Sequence, residues 1–233
     1  METGCQEISV FNAIKKIKNT KQHLWFLSKQ KFDDYEQLLE DSFFNSFDTA
    51  FIVAPHMDDE VFGSFQLINK LISMNKIVKI IFCVSKENGI ETFKRIKESK
   101  NLFLSVEKRY LGINDSKVQE EKDILKEKLL NILKSEKSLY VYPEYTVTNH
   151  KDHNAVNQVM NEICLLQKQD CVLKTELIVL AKRNCYLQVK NIDEKIDAIG
   201  NYKSQKNHAD YKKIVKFLAS SGNKTEYREH YAK

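Results

Sequence analysis

Two short stretches of the chain concentrate side chains able to do chemistry. One is Pro55-His56-Met57-Asp58-Asp59-Glu60, and the other is His150-Lys151-Asp152-His153. Of the six histidines in the chain, three lie in these stretches. Two imidazoles and a carboxylate make a common catalytic zinc shell, with the fourth position open to water. His56 and Asp59 stand three residues apart, so a tight turn can aim both at one point, and His153 can join them from the second stretch. An ion of charge +2 with one carboxylate keeps a net positive charge, which brings the pKa of bound water down to about 7 and polarises a carbonyl. Asp58 adjoins these ligands but points elsewhere, free to accept a proton from that water. His150 can donate a hydrogen bond or a proton to a developing oxyanion or leaving nitrogen. Asp152 is placed to orient one of the imidazoles. The set describes metal-dependent hydrolysis of an amide. Taken alone, Asp58-Asp59-Glu60 would equally suit a helix N-terminus, where acids favour the macrodipole. Two such stretches, each following its own expected strand, favour the metal site.

The elements that must position these residues follow from hydrophobic patterning. Ala50-Phe51-Ile52-Val53-Ala54 is an apolar run rich in strand formers and reads as a buried strand. Val61, Phe65, Ile68 and Ile72 then share one helix face. Strands are expected over Ile77 to Val84, near Arg109-Tyr110-Leu111, over Leu139 to Tyr142 before Pro143, and over Leu177 to Leu180. The last is expected to form a hairpin with Tyr186 to Val189. Helices are expected over 8–45, Thr92 to Phe103, around Leu125, Leu129, Ile132 and Leu133, over Ala155 to Leu166, and near 193–203 and 208–220. Strands alternating with helices predict an α/β, Rossmann-like fold. Its sheet is mainly parallel, with helices on both faces. Ligands in such sheets bind beyond the carboxyl ends of the strands. The loops to search are therefore those after Ala54, Val84 and Tyr142.

Composition narrows the class. The 233 residues are 42% hydrophobic and 30% charged, with only 6 Gly and 2 Pro, which excludes fibrous, linker-like and low-complexity chains. No apolar run approaches the length of a membrane helix. Met1-Glu2-Thr3-Gly4-Cys5 lacks a basic start followed by an apolar stretch, so a cytoplasmic protein is expected. The five cysteines (Cys5, Cys83, Cys164, Cys171 and Cys185) show no CxxC spacing and read as reduced thiols. Net charge is +5, falling to −2 over residues 1–50 and rising to +5 over residues 201–233. Only four basic residues are Arg, so the pattern does not indicate a nucleic-acid partner. The basic tail does suit an anionic substrate.

The two motifs resemble those of the PIG-L/LmbE-like family of zinc-dependent N-deacetylases. Arg95-Ile96-Lys97-Glu98 resembles that family's Arg-x-x-Glu. Lys195 with Tyr202-Lys203-Ser204-Gln205 resembles its late Lys…Tyr-x-Ser-Gln. The resemblance covers about residues 48 to 231. It implies a deacetylase domain over 46–233; residues 1–45 lie outside the resemblance and are expected to be a helical extension packed on that domain, with an oligomer contact or part of a substrate lid as the alternatives. It also implies Zn²⁺ on His56, Asp59 and His153, Asp58 as general base, His150 as acid partner, and Arg95 at the substrate. The substrate class would be an N-acetylglucosamine-type sugar or glycoconjugate. Fe²⁺ suits the same shell, and a homo-oligomer is left open. A sugar-binding protein of this fold with little turnover, and a metal-dependent hydrolase of another amide, are the alternatives. Met57 and Lys151 stand where the family has Pro, which predicts altered loop stiffness with the metal ligands kept. Gly63-Ser64-Phe65-Gln66 keeps one Gly of a Gly-rich turn, so Phe65 must find space. Lys86-Glu87-Asn88-Gly89 also departs from the family's loop.

Overall fold

The computed structural model of the chain describes residues 16–21, 37–86, 90–133, 137–144, 151–175, 185–206, 209–219 and 228–232. Its elements are β1 (Gln37–Leu38), α1 (Asp41–Phe44), β2 (Thr49–Ala54), α2 (Asp59–Ser73), β3 (Ile77–Val84), α3 (Ile90–Lys100), β4 (Glu107–Ile113) and α4 (Lys122–Ile132). They continue as β5 (Ser138–Pro143), α5 (Lys151–Gln167), β6 (Val172–Thr175), β7 (Cys185–Gln188), α6 (Ile192–Gly200), a 3₁₀ turn (Lys203–Gln205), α7 (Tyr211–Ala219) and β8 (Arg228–Ala232).

The strands form one sheet in the order β1-β7-β8-β6-β5-β2-β3-β4. Every neighbouring pair is parallel except the two made by β8, which runs antiparallel to both β6 and β7. Each residue of β2 is buried, because the strand sits between β3 and β5 and both its faces are covered. Ala50, Ile52 and Ala54 face one core with Val61, Leu67, Ile68 and Leu71 of α2 and Ile196 and Ile199 of α6. Phe51 and Val53 face the other, with Leu125 and Leu129 of α4 and Val156, Val159 and Met160 of α5. This alternation within a continuously apolar strand is what two covered faces require. The expected α/β fold, mainly parallel with helices on both faces, is the one observed.

Chain order reverses at β2. From it the chain steps outward through β3 and β4, while β5 and β6 lie on its other side. The carboxyl ends of β2 and β5 therefore flank the point at which ligands enter open α/β sheets. This brings together two motifs more than ninety residues apart in the chain.

Several expectations need correction. Helix α5 starts at Lys151 rather than Ala155, which puts Asp152 and His153 on its first turn instead of in a loop. The expected hairpin of β7 is not formed. One edge of β7 pairs with β8 and the other with β1, and β8 separates it from β6. The hairpin expectation followed nearness in sequence, whereas a strand from the far C-terminus takes the place. Residues 177–180, where its partner strand was expected, lie outside the described residues. The segment expected to be helical over 8–45 holds a helical stretch at 16–21. At Gln37–Leu38, however, it is a strand at the sheet edge, followed by an N–H of Leu39 donating to Tyr186 O at 2.9 Å. Residues 16–21 meet the start of α7, where Thr20 Oγ1 accepts from Asp210 N–H at 2.7 Å.

Candidate metal centre

Only four residues, 55–58, join β2 to α2, so the chain must turn sharply. The turn is held at both ends. Pro55 O accepts from Val84 N–H at 2.8 Å, and Asp58 O accepts from the N–H groups of Val61 and Phe62 at 3.0 Å each. Asp58 itself has φ 120°, a region that a residue with a Cβ rarely enters. Met57 is 1% exposed and acts as a core plug in place of a stiff proline. Phe65 finds its space against Phe103, with ring centroids 5.7 Å apart.

The turn delivers His56 and Asp59 to one point. Asp59 Oδ2 first accepts from the backbone N–H of His56 at 2.8 Å, which fixes the carboxylate across the turn. The first turn of α5 brings His153 opposite. His56 Nδ1 lies 3.2 Å from His153 Nε2 and 3.5 Å from Asp59 Oδ2, and His153 Nε2 lies 3.3 Å from Asp59 Oδ2. Donors on a tetrahedral ion at 2.0–2.2 Å stand about 3.3–3.6 Å apart. The three atoms thus form a triangle of the size that such an ion requires. His56, Asp59 and His153 are one of two groups of potential ligands among the described residues. The other is His56, Asp115 and Asp152.

The second nitrogen of His56 is also engaged. Its Nε2 is 3.2 Å from Asp152 Oδ2 and 3.5 Å from Asp115 Oδ1. A carboxylate on the far nitrogen fixes the tautomer that leaves Nδ1 free for a metal. Asp152 is itself anchored, accepting from Ser116 N–H at 2.8 Å and Val118 N–H at 3.3 Å.

These contacts set the local electrostatics. Burial disfavours charge on His56, but hydrogen bonds to Asp115, Asp152 and Asp59 outweigh it and raise its pKa well above the usual value. Burial also penalises the Asp59 carboxylate. The charge and hydrogen bond of His153, then those of His56, outweigh this and hold Asp59 well below the carboxylate range. Asp58 goes the other way. Burial first, and the charge of Asp59 second, push its pKa well above normal. Glu60 is pushed up to about 7 by burial. One short segment therefore holds one carboxylate that stays charged and a neighbour that holds a proton more tightly.

Of the residues expected at the site, the structure brings together His56, Asp58, Asp59, Asp152 and His153. Arg95 on α3 is close enough for its charge to lower the pKa of both Asp58 and Asp115. Its Nε is buried with no hydrogen-bond partner among the described residues, and its guanidinium is 3.6 Å from Glu91. His150 lies outside the described residues, as do Glu87, Asn88 and Gly89.

Sequence reasoning missed Asp115, because the loop after β4 was not searched, although it opens at the same sheet edge. It also gave no partner to Glu60 or Tyr202. Tyr202, 1% exposed, donates its hydroxyl to Glu60 Oε1. The late motif docks on α3 as well. Ser204 N–H and Oγ donate to Glu98 at 3.0 and 2.6 Å, and Gln205 Nε2 donates to Glu91 at 2.9 Å.

Residues 51–164 match the family model PIG-L, GlcNAc-PI de-N-acetylase. No curated protein is a significant match in sequence. Among solved structures, the chain is similar to N,N'-diacetylchitobiose deacetylase from Pyrococcus horikoshii. The TM-score is 0.69 at 17% identity, covering 82% of this chain and 85% of that one. It is also similar to teicoplanin deacetylase Orf2 in its zinc-inhibited form, with TM-score 0.61 and 13% identity over 78% of this chain and 96% of that one. The A40926 pseudoaglycone deacetylase Dbv21 gives TM-score 0.62 and 12% identity over 80% of this chain and 96% of that one. At these identities the structural likeness carries the fold alone. The similarity to the PIG-L model thus spans residues 51–164, just under half of the chain, and takes in His56, Asp59 and His153.

Proposed function

We propose that the chain is a metal-dependent deacetylase acting on an N-acetylglucosamine-type sugar or glycoconjugate. The observation that carries this reading is the triangle of His56 Nδ1, His153 Nε2 and Asp59 Oδ2, with sides of 3.2, 3.3 and 3.5 Å. Those atoms would hold Zn²⁺, with Fe²⁺ as the alternative. A divalent ion there supplies a Lewis acid that acidifies water and polarises the amide carbonyl.

The remaining work falls to side chains. Asp152 accepts from Nε2–H of His56 and so keeps Nδ1 unprotonated for the ion. Asp58, next to the ligand Asp59 but not among the three donors, takes the proton of the attacking water. His150 is assigned the return of a proton to the leaving nitrogen. Arg95 is assigned to the substrate, where a sugar hydroxyl or anionic group would complete the hydrogen bonding of its buried Nε. The family match and the deacetylases of the same fold support an amide of an N-acetylated sugar. The proposal also includes a cytoplasmic location. No helix among the described residues is long and apolar enough to cross a membrane.

The test pairs metal content with product. Chelator-stripped protein is reloaded with Zn²⁺ or Fe²⁺ and offered N-acetylated sugars, nucleotide sugars and glycosides. About one ion per chain, lost in His153→Ala, together with acetate release, is expected. An ion held at that stoichiometry with sugar binding but no acetate would overturn hydrolysis and favour a binding protein of the same fold. Release of an acid other than acetate would move the reading to another amide.

A further inference from the structure

Asp58 occupies a backbone conformation that stores strain. A φ of 120° in a residue with a Cβ is strained and persists only where the surroundings over-determine it. On its carbonyl side the restraint is ordinary helix initiation, from Val61 and Phe62. On its amide side the restraint is a side chain. Asp58 N–H donates to Glu60 Oε2 at 2.9 Å.

The placement of Glu60 is unusual for its position. A glutamate in the first turn of a helix normally serves the macrodipole from the surface. Glu60 is instead 1% exposed, so both its oxygens need partners inside the protein. One takes the Asp58 amide and the other takes the Tyr202 hydroxyl. Tyr202 is itself 1% exposed and arrives from the segment just before the 3₁₀ turn. That segment is fixed to α3 by Ser204 on Glu98 and Gln205 on Glu91. Lys195 adds a second tie from α6 to the same turn of α2, donating Nζ to Phe62 O at 2.8 Å. A chain of directed hydrogen bonds thus runs from α3 through Tyr202 and Glu60 to the peptide N–H of Asp58.

We infer that Glu60, held by Tyr202, is a positioning residue. It locks the strained peptide preceding Asp58 and so aims that carboxylate. The inference rests on the proposed function in one respect, that Asp58 is the general base. It predicts that what matters at position 60 is a hydrogen-bond acceptor of the right shape. Glu60→Gln keeps an acceptor for the Asp58 N–H. Glu60→Leu keeps much of the volume and removes the acceptor. Tyr202→Phe removes only the hydroxyl and leaves the ring packing.

The experiment uses the full chain loaded with Zn²⁺ and has two arms. The first is amide hydrogen exchange at Asp58, which reports the bond directly and needs no turnover. Glu60→Leu should exchange there about 100-fold faster, Tyr202→Phe about 10-fold faster, and Glu60→Gln close to wild type. The second arm is kcat and KM for acetate release at equal metal content. A displaced base should lower kcat in Glu60→Leu about 100-fold with KM little changed, and Gln should restore most of it. Wild-type exchange at Asp58 in Glu60→Leu would overturn the inference. If that variant fails to fold, wild-type exchange in Tyr202→Phe would do the same. An equal kcat loss in Gln and Leu would also overturn it, since that pattern would show a need for charge rather than for an acceptor. If wild-type protein releases no acetate, the deacetylase reading fails, while the exchange arm still decides the positioning role.

Discussion

Adjacent aspartates in one turn face opposite electrostatic demands. Asp59 touches both imidazoles and stays ionised, whereas Asp58 is buried beside a negative neighbour and holds its proton more tightly. A base that gains and loses a proton near neutrality needs that second environment, and a ligand needs the first. Asp58→Asn is therefore expected to lower kcat for acetate release by about 10²–10⁴-fold. Metal content should be unchanged, because Asp58 is not one of the three donors. Parallel elemental analysis and steady-state kinetics check both halves. A variant that loses its ion would remove Asp58 from the role of base. Asp152 should behave in the opposite sense. Its carboxylate lies 3.2 Å from the far nitrogen of His56, so Asp152→Asn is expected to weaken Zn²⁺ binding by about 10–100-fold. Competition against a chromophoric chelator measures this, and wild-type affinity would show that His56 needs no such partner.

At the scale of elements, the site stands on junctions rather than on single helices. The 3₁₀ turn after α6 is attached to α3 by Glu98, which accepts from both the N–H and the hydroxyl of Ser204. Hydrogen bonds to a charged group contribute about 1.5–3 kcal/mol each, and loss of a shared acceptor leaves both donors in want of water. Glu98→Ala is thus expected to lower unfolding stability by about 2 kcal/mol, read as a shift of the urea midpoint at constant m. No shift would mean that solvent replaces the carboxylate without loss. These junctions also mark how far sequence reading reached. β2, β3 and β5 were legible because strands covered on both faces must be continuously apolar, and α2 because its apolar stripe is regular. The convergence of His56, Asp59 and His153 was legible from residue type and from the rule that places binding loops at strand ends. β8 was not, since its position between β6 and β7 depends on pairing across more than forty residues. The Glu60–Tyr202 bond spans 142 residues and leaves no local pattern. Asp115 is a single carboxylate in a short loop, and only the fold shows that the loop after β4 meets Asp152.

For the whole molecule, the buried acids and His56 of the candidate site set how the stability of metal-free protein depends on pH. Glu60 has a folded pKa of about 7 against an ordinary value of 4.5. His56 and Asp58 are also raised. A group whose pKa is raised by folding contributes stability that is complete below its unfolded pKa. That contribution is lost as pH rises through the folded value. For Glu60 alone this amounts to roughly 3 kcal/mol, because each tenfold gain in proton affinity on folding is worth about 1.4 kcal/mol. Asp59 and Asp152 are lowered, so their contributions are present above the ordinary carboxylate range and are lost only in stronger acid. Between about pH 5 and pH 8 the raised groups therefore dominate, and the metal-free protein should lose stability as pH rises. Metal binding has the reverse dependence, because His56 and His153 must be unprotonated to act as ligands. The gap in melting temperature between Zn²⁺-loaded and metal-free protein should therefore widen steadily from about pH 5.5 to about pH 8. Glu60→Gln, which cannot titrate, should flatten the metal-free curve over the lower part of that range. Thermal unfolding at matched ionic strength across these conditions measures both effects. A metal-free protein that grows more stable toward the alkaline end would mean that the buried acids are ionised already, and that some other positive group compensates them.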